Sequence, residues 1–255
     1  MTCLKKVSLF SLSIILVCLG SCAKKVSVKI VDKNLYPITP TLPQDSSILA
    51  FYKPYKLQID SQMNTVIGWA ENDIKAAKPE GALNNLMVDA MAKAAAKRGI
   101  AFDLVHTNYK SLRVPILKGN IKRFKIFELM PFENLLVTVK MSGLQVKELF
   151  DYIGDQGGDP IAGARFDISG GKAENILIND KPLNPSTVYT ILTSDYVANG
   201  GDGALMYSKA TDRKEFPVKV REALLEYIGE ETKAGRMVKP KIEGRIRVGK
   251  KQGNE

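Results

Sequence analysis

The sequence is poor in the side chains that hold metal ions and relay protons. Its 255 residues include one histidine, His106, and three cysteines. That scarcity excludes most multi-histidine metal centres and any catalytic pair of histidines. Two of the cysteines, Cys3 and Cys18, fall in an N-terminal leader, which leaves only Cys22 beyond it and no partner for a disulfide. The common catalytic motifs are missing as well: there is no G-x-S-x-G elbow, no H-E-x-x-H helix and no G-x-x-x-x-G-K-[ST] loop. What is present is ordinary globular material, 45% hydrophobic and 25% charged. That is enough chain for one domain of about 150–200 residues with a real core.

The leader has a recognisable build. Lys5 and Lys6 precede an apolar run from Val7 to Leu19 broken only by serines, and Leu19-Gly20-Ser21-Cys22 follows. The run is too short to span a bilayer comfortably and reads as a bacterial secretory signal. Its ending resembles the lipobox of bacterial lipoproteins, which implies a lipid on Cys22 and a place in the cell envelope, at the periplasmic face or the cell surface. The expected organisation is a signal peptide over 1–21, a tether over 22–44 carrying Pro37, Pro40 and Pro43, and a linker-like helix over 45–64. A domain over 65–248 and a disordered tail over 249–255 complete it.

The net charge of +10 is unevenly placed. The segment 233–255 carries eight lysines and arginines against Glu243 and Glu255, which leaves +2 for residues 22–232. A basic C-terminal tail without an aromatic residue has no platform on which a base could stack, so nucleic acid is not an expected partner.

Hydrophobic spacing gives a mixed set of elements. Asp45 or Ser46 can cap a helix on which Ile48, Phe51, Tyr52, Tyr55, Ile59 and Met63 recur, with Pro54 expected to kink it or delay its start. Between Glu80 and Arg98 the positions Leu83, Leu86, Met87, Ala90, Met91, Ala94 and Ala95 form one face of a helix stopped at Gly99. Strand-like alternation occurs at 65–70, 102–106, 135–141, 164–168, 175–178 and 188–194, with a short amphipathic helix over 142–152 ended by Gly154. A last helix is expected to begin near Pro217 and to turn Val220, Ala223, Leu224, Tyr227 and Ile228 inward. Helices and strands do not alternate strictly, so the fold class expected is α+β with a mixed sheet.

Chemistry is then left to loops that follow strands. One strand runs through His106 into Asn108-Tyr109-Lys110-Ser111-Leu112-Arg113, which places an amide and a guanidinium five residues apart. An arginine fork suits phosphate or sugar oxygens and an amide suits a base edge, although a polar surface loop gives the same pattern. His106 itself is expected to be structural, or to support a residue that contacts the ligand. Another strand runs into Asp195-Tyr196-Val197-Ala198-Asn199-Gly200-Gly201-Asp202-Gly203. There glycines allow close backbone approach, and a carboxylate can accept from the two hydroxyls of a diol. Phe132 and Tyr196 could hold a planar ring, though core packing is the commoner fate of a phenylalanine.

These segments occur in a particular order. Glu80, Asn85-Leu86 and Asp89-Ala90 come first, then Asn108 to Arg113, Gly119-Asn120-Ile121, Pro131-Phe132-Glu133-Asn134, Ser142-Gly143 and Tyr189. The run from Asp195 to Gly203 closes the series. From about residue 48 to 229 the pattern resembles the C-terminal domain of the 5′-nucleotidases. The resemblance implies that Phe132 and Tyr196 sandwich a base, Asn108 meets it, Arg113 lies near ribose and phosphate, and Asp202 holds the ribose hydroxyls. Tyr196 stands where a phenylalanine is common. Tyr109 and Lys110 replace glycines of the usual asparagine loop, and Ala77 replaces a second arginine.

In that family a separate N-terminal metallophosphoesterase domain holds two metal ions of the Zn or Mn type and cleaves the ester. Nothing before the first helix of this chain supplies the histidines and carboxylates such a centre needs. The resemblance therefore implies the substrate-recognition half of a split exported nucleotidase, with no catalytic residue or metal of its own. The cleaving centre would sit in a separate metallophosphoesterase chain. A non-catalytic nucleotide-binding lipoprotein, or a scaffold that has lost the pocket, is the alternative.

Overall fold

The computed structural model describes residues 35–249. The expected signal peptide, the expected lipidation at Cys22 and the outer parts of the expected tether and tail lie outside the described residues. Residues 35–45 make one turn, closed by Leu42 N–H donating to Thr39 O at 3.1 Å. Helix α1 (Ser46–Met63) starts where Asp45 Oδ1 accepts from the backbone N–H groups of Ser47 at 2.8 Å and Ile48 at 3.2 Å, an N-cap. It continues through Pro54 rather than starting after it. No residue of α1 is buried, so the apolar spacing that predicts this helix does not correspond to a buried face.

After α1 come β1 (Val66–Ala70), α2 (Ala82–Ala96), β2 (Leu104–His106), β3 (Gly119–Lys122), α3 (Arg123–Leu129), β4 (Leu135–Ser142) and α4 (Gly143–Asp155). The chain continues with β5 (Ile161–Ala162), β6 (Ala164–Ser169), β7 (Lys172–Ile178), β8 (Lys181–Pro182), β9 (Val188–Ser194) and α5 (Asp195–Ala198). It ends in β10 (Thr211–Lys219), α6 (Val220–Lys233) and β11 (Ile246–Val248). A five-stranded sheet in the order β10-β4-β9-β2-β5 lies at the centre, beside a four-stranded sheet β11-β6-β7-β8 and a β1-β3 pair. Packed helices on mixed sheets give the α+β class.

The period of two along the central strands explains how both faces of the sheet are covered. Val105, Leu136 and Leu192 join the core built on α2, α3 and α6, whereas their chain neighbours Leu104, Val137 and Ile191 join the core built on α4, β6 and β7. Both faces are therefore apolar, and central strands of this kind read as continuous hydrophobic runs.

Several signature residues of the sequence serve this scaffold. Glu80 accepts from Asn85 Nδ2 at 2.6 Å and from the backbone N–H groups of Glu243 and Arg245 at 2.9 Å each. Arg245 in turn pairs with Asp89 at 2.8 Å and donates to Ile161 O at 3.0 Å. These bonds fasten the C-terminal segment, and with it β11, to α2. Ser142 and Gln145 form a reciprocal capping box at the start of α4. Gly143 is required by contact: a Cβ there would lie 2.0 Å from Asn184 O.

Two expectations are corrected. Pro217 lies in β10, not in the first turn of the last helix, which starts at Val220. β10 is an edge strand and its register slips between Phe216 and Lys219, a place where a residue without an N–H is tolerated. Helix α4 runs past Gly154 to Asp155, and Gly157, with φ of 76°, follows its end.

Candidate functional site

Strand register brings the loops together. β2 and β9 are parallel neighbours, paired at Leu104–Ile191 and Val105–Leu192, so both end at the same edge of the sheet. β4 runs antiparallel to β9 with Leu136 opposite Ser194, so its beginning lies at that edge too. The loop after β2 carries Asn108 to Arg113, the segment before β4 carries Phe132 to Asn134, and the turns after β9 carry Tyr196 to Gly203. Loops beyond the carboxyl ends of parallel strands are a common ligand location.

Asn108, Lys110, Ser111, Arg113, Phe132, Asn134, Tyr196 and Asp202 line one pocket with an empty volume of about 410 Å³. All five residues singled out in the sequence for ligand contact are therefore at one place. Lys110 lines this pocket, whereas the ring of its neighbour Tyr109 lies under Lys78, with Nζ 5.2 Å from the ring centroid.

Asp202 is the centre of the polar contacts. Asn108 Nδ2 donates to Oδ2 at 2.7 Å and the Tyr196 hydroxyl donates to Oδ1 at 3.0 Å. The turn that presents it is strained in a manner aspartate tolerates, with φ of 55° at Asp202 after a left-handed Gly200 at 83°. Tyr152 donates to the Asp202 carbonyl at 3.1 Å. Burial, aided by the Asp159 and Asp202 charges, pushes its hydroxyl up to about 12, so it remains a donor at any physiological pH.

The remaining atoms of the pocket are less satisfied. Asn108 Oδ1 is buried without a hydrogen-bond partner. Flipping the amide would point that oxygen at the Asp202 carboxylate, so the acceptor stays unmet in either orientation of the amide. The Arg113 guanidinium lies over the Phe132 ring with Cζ 5.2 Å from its centroid. Neither Arg113 nor Lys110 has a carboxylate partner among the described residues, so the pocket presents two uncommitted cations. The larger cleft at Asp89, Arg165, Asp180, Glu243 and Arg245 differs in this respect, because its arginines pair with its own acids.

Residues behind the pocket hold the loops; His106 among them has the structural role expected of it, and the sequence carried no local signal for the others. His106 is fully buried, with Nδ1 2.9 Å from the Tyr207 hydroxyl and Nε2 3.4 Å from Asp159 Oδ2. The other oxygen of Asp159 accepts from Tyr109 N–H at 3.0 Å, which ties the Asn108 loop to this network. Burial pushes the Tyr207 hydroxyl far up, so it stays protonated. Arg221 of α6, only 3% exposed, donates to the carbonyls of Met130 and Phe132 at 3.2 Å each and pairs with Glu133. Its guanidinium stacks 4.1 Å from the Phe127 ring centroid. It thereby clamps the loop that presents Phe132.

Comparison with known proteins places this geometry. The chain is similar to the 5′-nucleotidase of Vibrio cholerae serotype O1, 24% identical over 197 residues that cover 74% of this chain and 34% of that protein. It is also similar to the trifunctional nucleotide phosphoesterase protein YfkN of Bacillus subtilis, 25% identical over 218 residues, which are 76% of this chain and 14% of that one. The chain thus spans about a third or less of the length of these relatives. Its fold matches the crystal structure of a 5′-nucleotidase precursor from Thermus thermophilus with a TM-score of 0.67, at 24% identity, over 80% of this chain and 43% of that one. The family model of the 5′-nucleotidase C-terminal domain matches residues 65–209. With the scaffold residues and the pocket loops in the order already described, this chain belongs to the 5′-nucleotidase C-terminal domain family.

Proposed function

We propose that this chain is the nucleotide-recognition half of a split, exported 5′-nucleotidase, anchored in the cell envelope through a lipid on Cys22. The observation that carries the reading is the convergence of Asn108, Arg113, Phe132, Tyr196 and Asp202 on one pocket. Phe132 and Tyr196 supply faces for a base, Asp202 supplies acceptors for ribose hydroxyls, and Arg113 with Lys110 supplies positive charge for a phosphate. Asn108 is assigned to a base edge by the family resemblance.

Cleavage is assigned to another chain. Among the described residues no three His, Cys, Asp or Glu side chains are grouped to hold a metal ion, and the one histidine is buried between Tyr207 and Asp159. In this reading a pair of Zn or Mn ions and the bond-breaking step belong to a separate exported metallophosphoesterase. Exposed Phe51, Tyr55 and Ile59 on α1 offer apolar surface for such a partner.

One observation favours a second reading, a binding module without a hydrolase or a scaffold with a weakened pocket. Both Asp202 oxygens are already bonded by Asn108 and Tyr196. The test is phosphate release from AMP and other nucleotides with Mn²⁺ or Zn²⁺, by this chain, by an exported metallophosphoesterase lacking its own C-terminal domain, and by the mixture. Release in the mixture above that of either chain, lost in Asp202→Asn, supports the split enzyme. Release by the partner that is indifferent to this chain overturns it in favour of the second reading.

A further inference from the structure

The hydroxyl of Tyr196 is bonded twice to one residue. It donates to Asp202 Oδ1 at 3.0 Å and accepts from the Asp202 backbone N–H at 3.3 Å. The backbone is shaped for this arrangement. The Tyr196 ring lies directly on Gly201, where a Cβ would come within 2.3 Å of a ring carbon. The left-handed Gly200 and Asp202 turn the carboxylate back toward the hydroxyl. Asn108 is buried and holds the inner oxygen of Asp202, so the exposed Tyr196 takes the oxygen on the open side.

We propose that Tyr196 is an internal ligand of Asp202. Its hydroxyl occupies the acceptor that a ribose hydroxyl would use, so a diol enters this pocket by exchange rather than by simple addition. The inference rests on the nucleoside reading of the pocket given above and adds a specificity-determining role to a side chain otherwise read as a stacking ring. The chemistry is balanced: one O–H···O⁻ bond from a phenol is broken and one from a sugar hydroxyl is formed. The first ribose hydroxyl therefore brings less net affinity than it would at a carboxylate free of Tyr196, and discrimination between ribose and a sugar lacking hydroxyls is reduced. A phenylalanine would keep the ring on Gly201 and leave the open-side oxygen to water, which a ligand displaces more readily than a tethered group.

The test is calorimetric titration of adenosine and of 2′,3′-dideoxyadenosine into the full chain and two variants. Tyr196→Phe removes both hydrogen bonds and keeps the ring. Gly201→Ala, at a position without positive φ, pushes the Tyr196 ring, with the Cζ that bears its hydroxyl, off the turn while both bonding side chains keep their chemistry. In Tyr196→Phe adenosine is expected to bind about tenfold more tightly, the scale of one hydrogen bond to a charged group, with dideoxyadenosine unchanged. Gly201→Ala is expected to raise adenosine affinity, as Tyr196→Phe does, with no gain for dideoxyadenosine. Adenosine binding that is equal or weaker in Tyr196→Phe, or an equal gain for dideoxyadenosine, overturns the internal-ligand proposal alone. Absence of adenosine binding by the parent and both variants overturns the nucleoside reading, and the proposal falls with it.

Discussion

The fastening of the C-terminal segment and the pocket at the sheet edge are built from similar residue types, carboxylates, amides and arginines, yet they end in opposite states. At the fastening, Glu80, Asn85, Asp89 and Arg245 satisfy one another, and burial pushes the Asp89 carboxyl up while the Arg245 guanidinium beside it pulls the other way. At the pocket, Arg113 and Lys110 have no described carboxylate partner and Asn108 Oδ1 has no donor. A closed polar network rigidifies a fold, whereas an open one leaves bonding capacity for something that arrives. Mixed into one family signature, the two groups look alike; only their partners separate a structural acid such as Glu80 from a pocket acid such as Asp202.

Breaking the closed network should give the largest effect. Arg245→Ala leaves Asp89 without its counter-ion and releases Ile161 O, and it is expected to cost about 2–3 kcal/mol in urea unfolding, at or below the low end for a buried ion pair because Asp89 is partly exposed. Nucleotide affinity of the folded fraction should stay unchanged. Next is Gly143→Ala, whose added methyl meets the Asn184 and Pro185 backbone; a loss of about 2 kcal/mol is expected by the same measurement, again without a change in affinity.

The pocket should respond the other way round. Asp202→Asn keeps a residue that tolerates the left-handed turn but removes the charge. Adenosine affinity is expected to fall about tenfold by calorimetry, with less loss of stability than in Arg245→Ala. Arg221→Ala sharpens the comparison because this residue, whose Nε alone is left without a partner, bonds the Met130 and Phe132 carbonyls and Glu133 and so supports the open site. It should lose stability, and in its folded fraction bind more weakly through a loosened Phe132 loop.

The smallest effect is expected at the α2–α6 surface. Hydrogen bonds from Lys97 and Lys93 hold the Glu230 carboxyl down at about 2, below its ordinary 4.5. Since the folded value is the lower one, this contribution is complete above pH 4.5 and disappears as the pH falls toward 2. Glu230→Gln should lower Tm at pH 6 by about 2 °C or less, as exposed ion pairs do, and the difference from the parent should vanish near pH 2.

Much of the fold was legible because its signals are local. The apolar face of α2, the apolar runs of β4 and β9 and the cap at Ser142 are each carried by a short stretch of chain. The edge strand β10 was not legible, because its charged, exposed residues lack alternation and Pro217 imitates a helix start. The pocket residues were named by a family pattern, but their meeting depends on the parallel pairing of β2 with β9 and on β4 running against it, long-range facts that no window of sequence carries. Arg221 and Asp159 were missed as supports for the same reason, whereas the supporting role expected of His106 is what the structure shows. The bond from Tyr196 to Asp202 spans only six residues, yet it requires the left-handed turn at Gly200 and Asp202 to exist.

The central claim is that the open network is a nucleotide site and the closed one is scaffold. The most direct measurement is calorimetric titration of AMP into the parent, Asp202→Asn, Phe132→Ala and Arg245→Ala under conditions where all four are folded. The account predicts binding by the parent and by Arg245→Ala with the same affinity, and a loss of about tenfold or more in Asp202→Asn and Phe132→Ala. Binding by the parent that survives both pocket substitutions, or that is lost in Arg245→Ala, would contradict it.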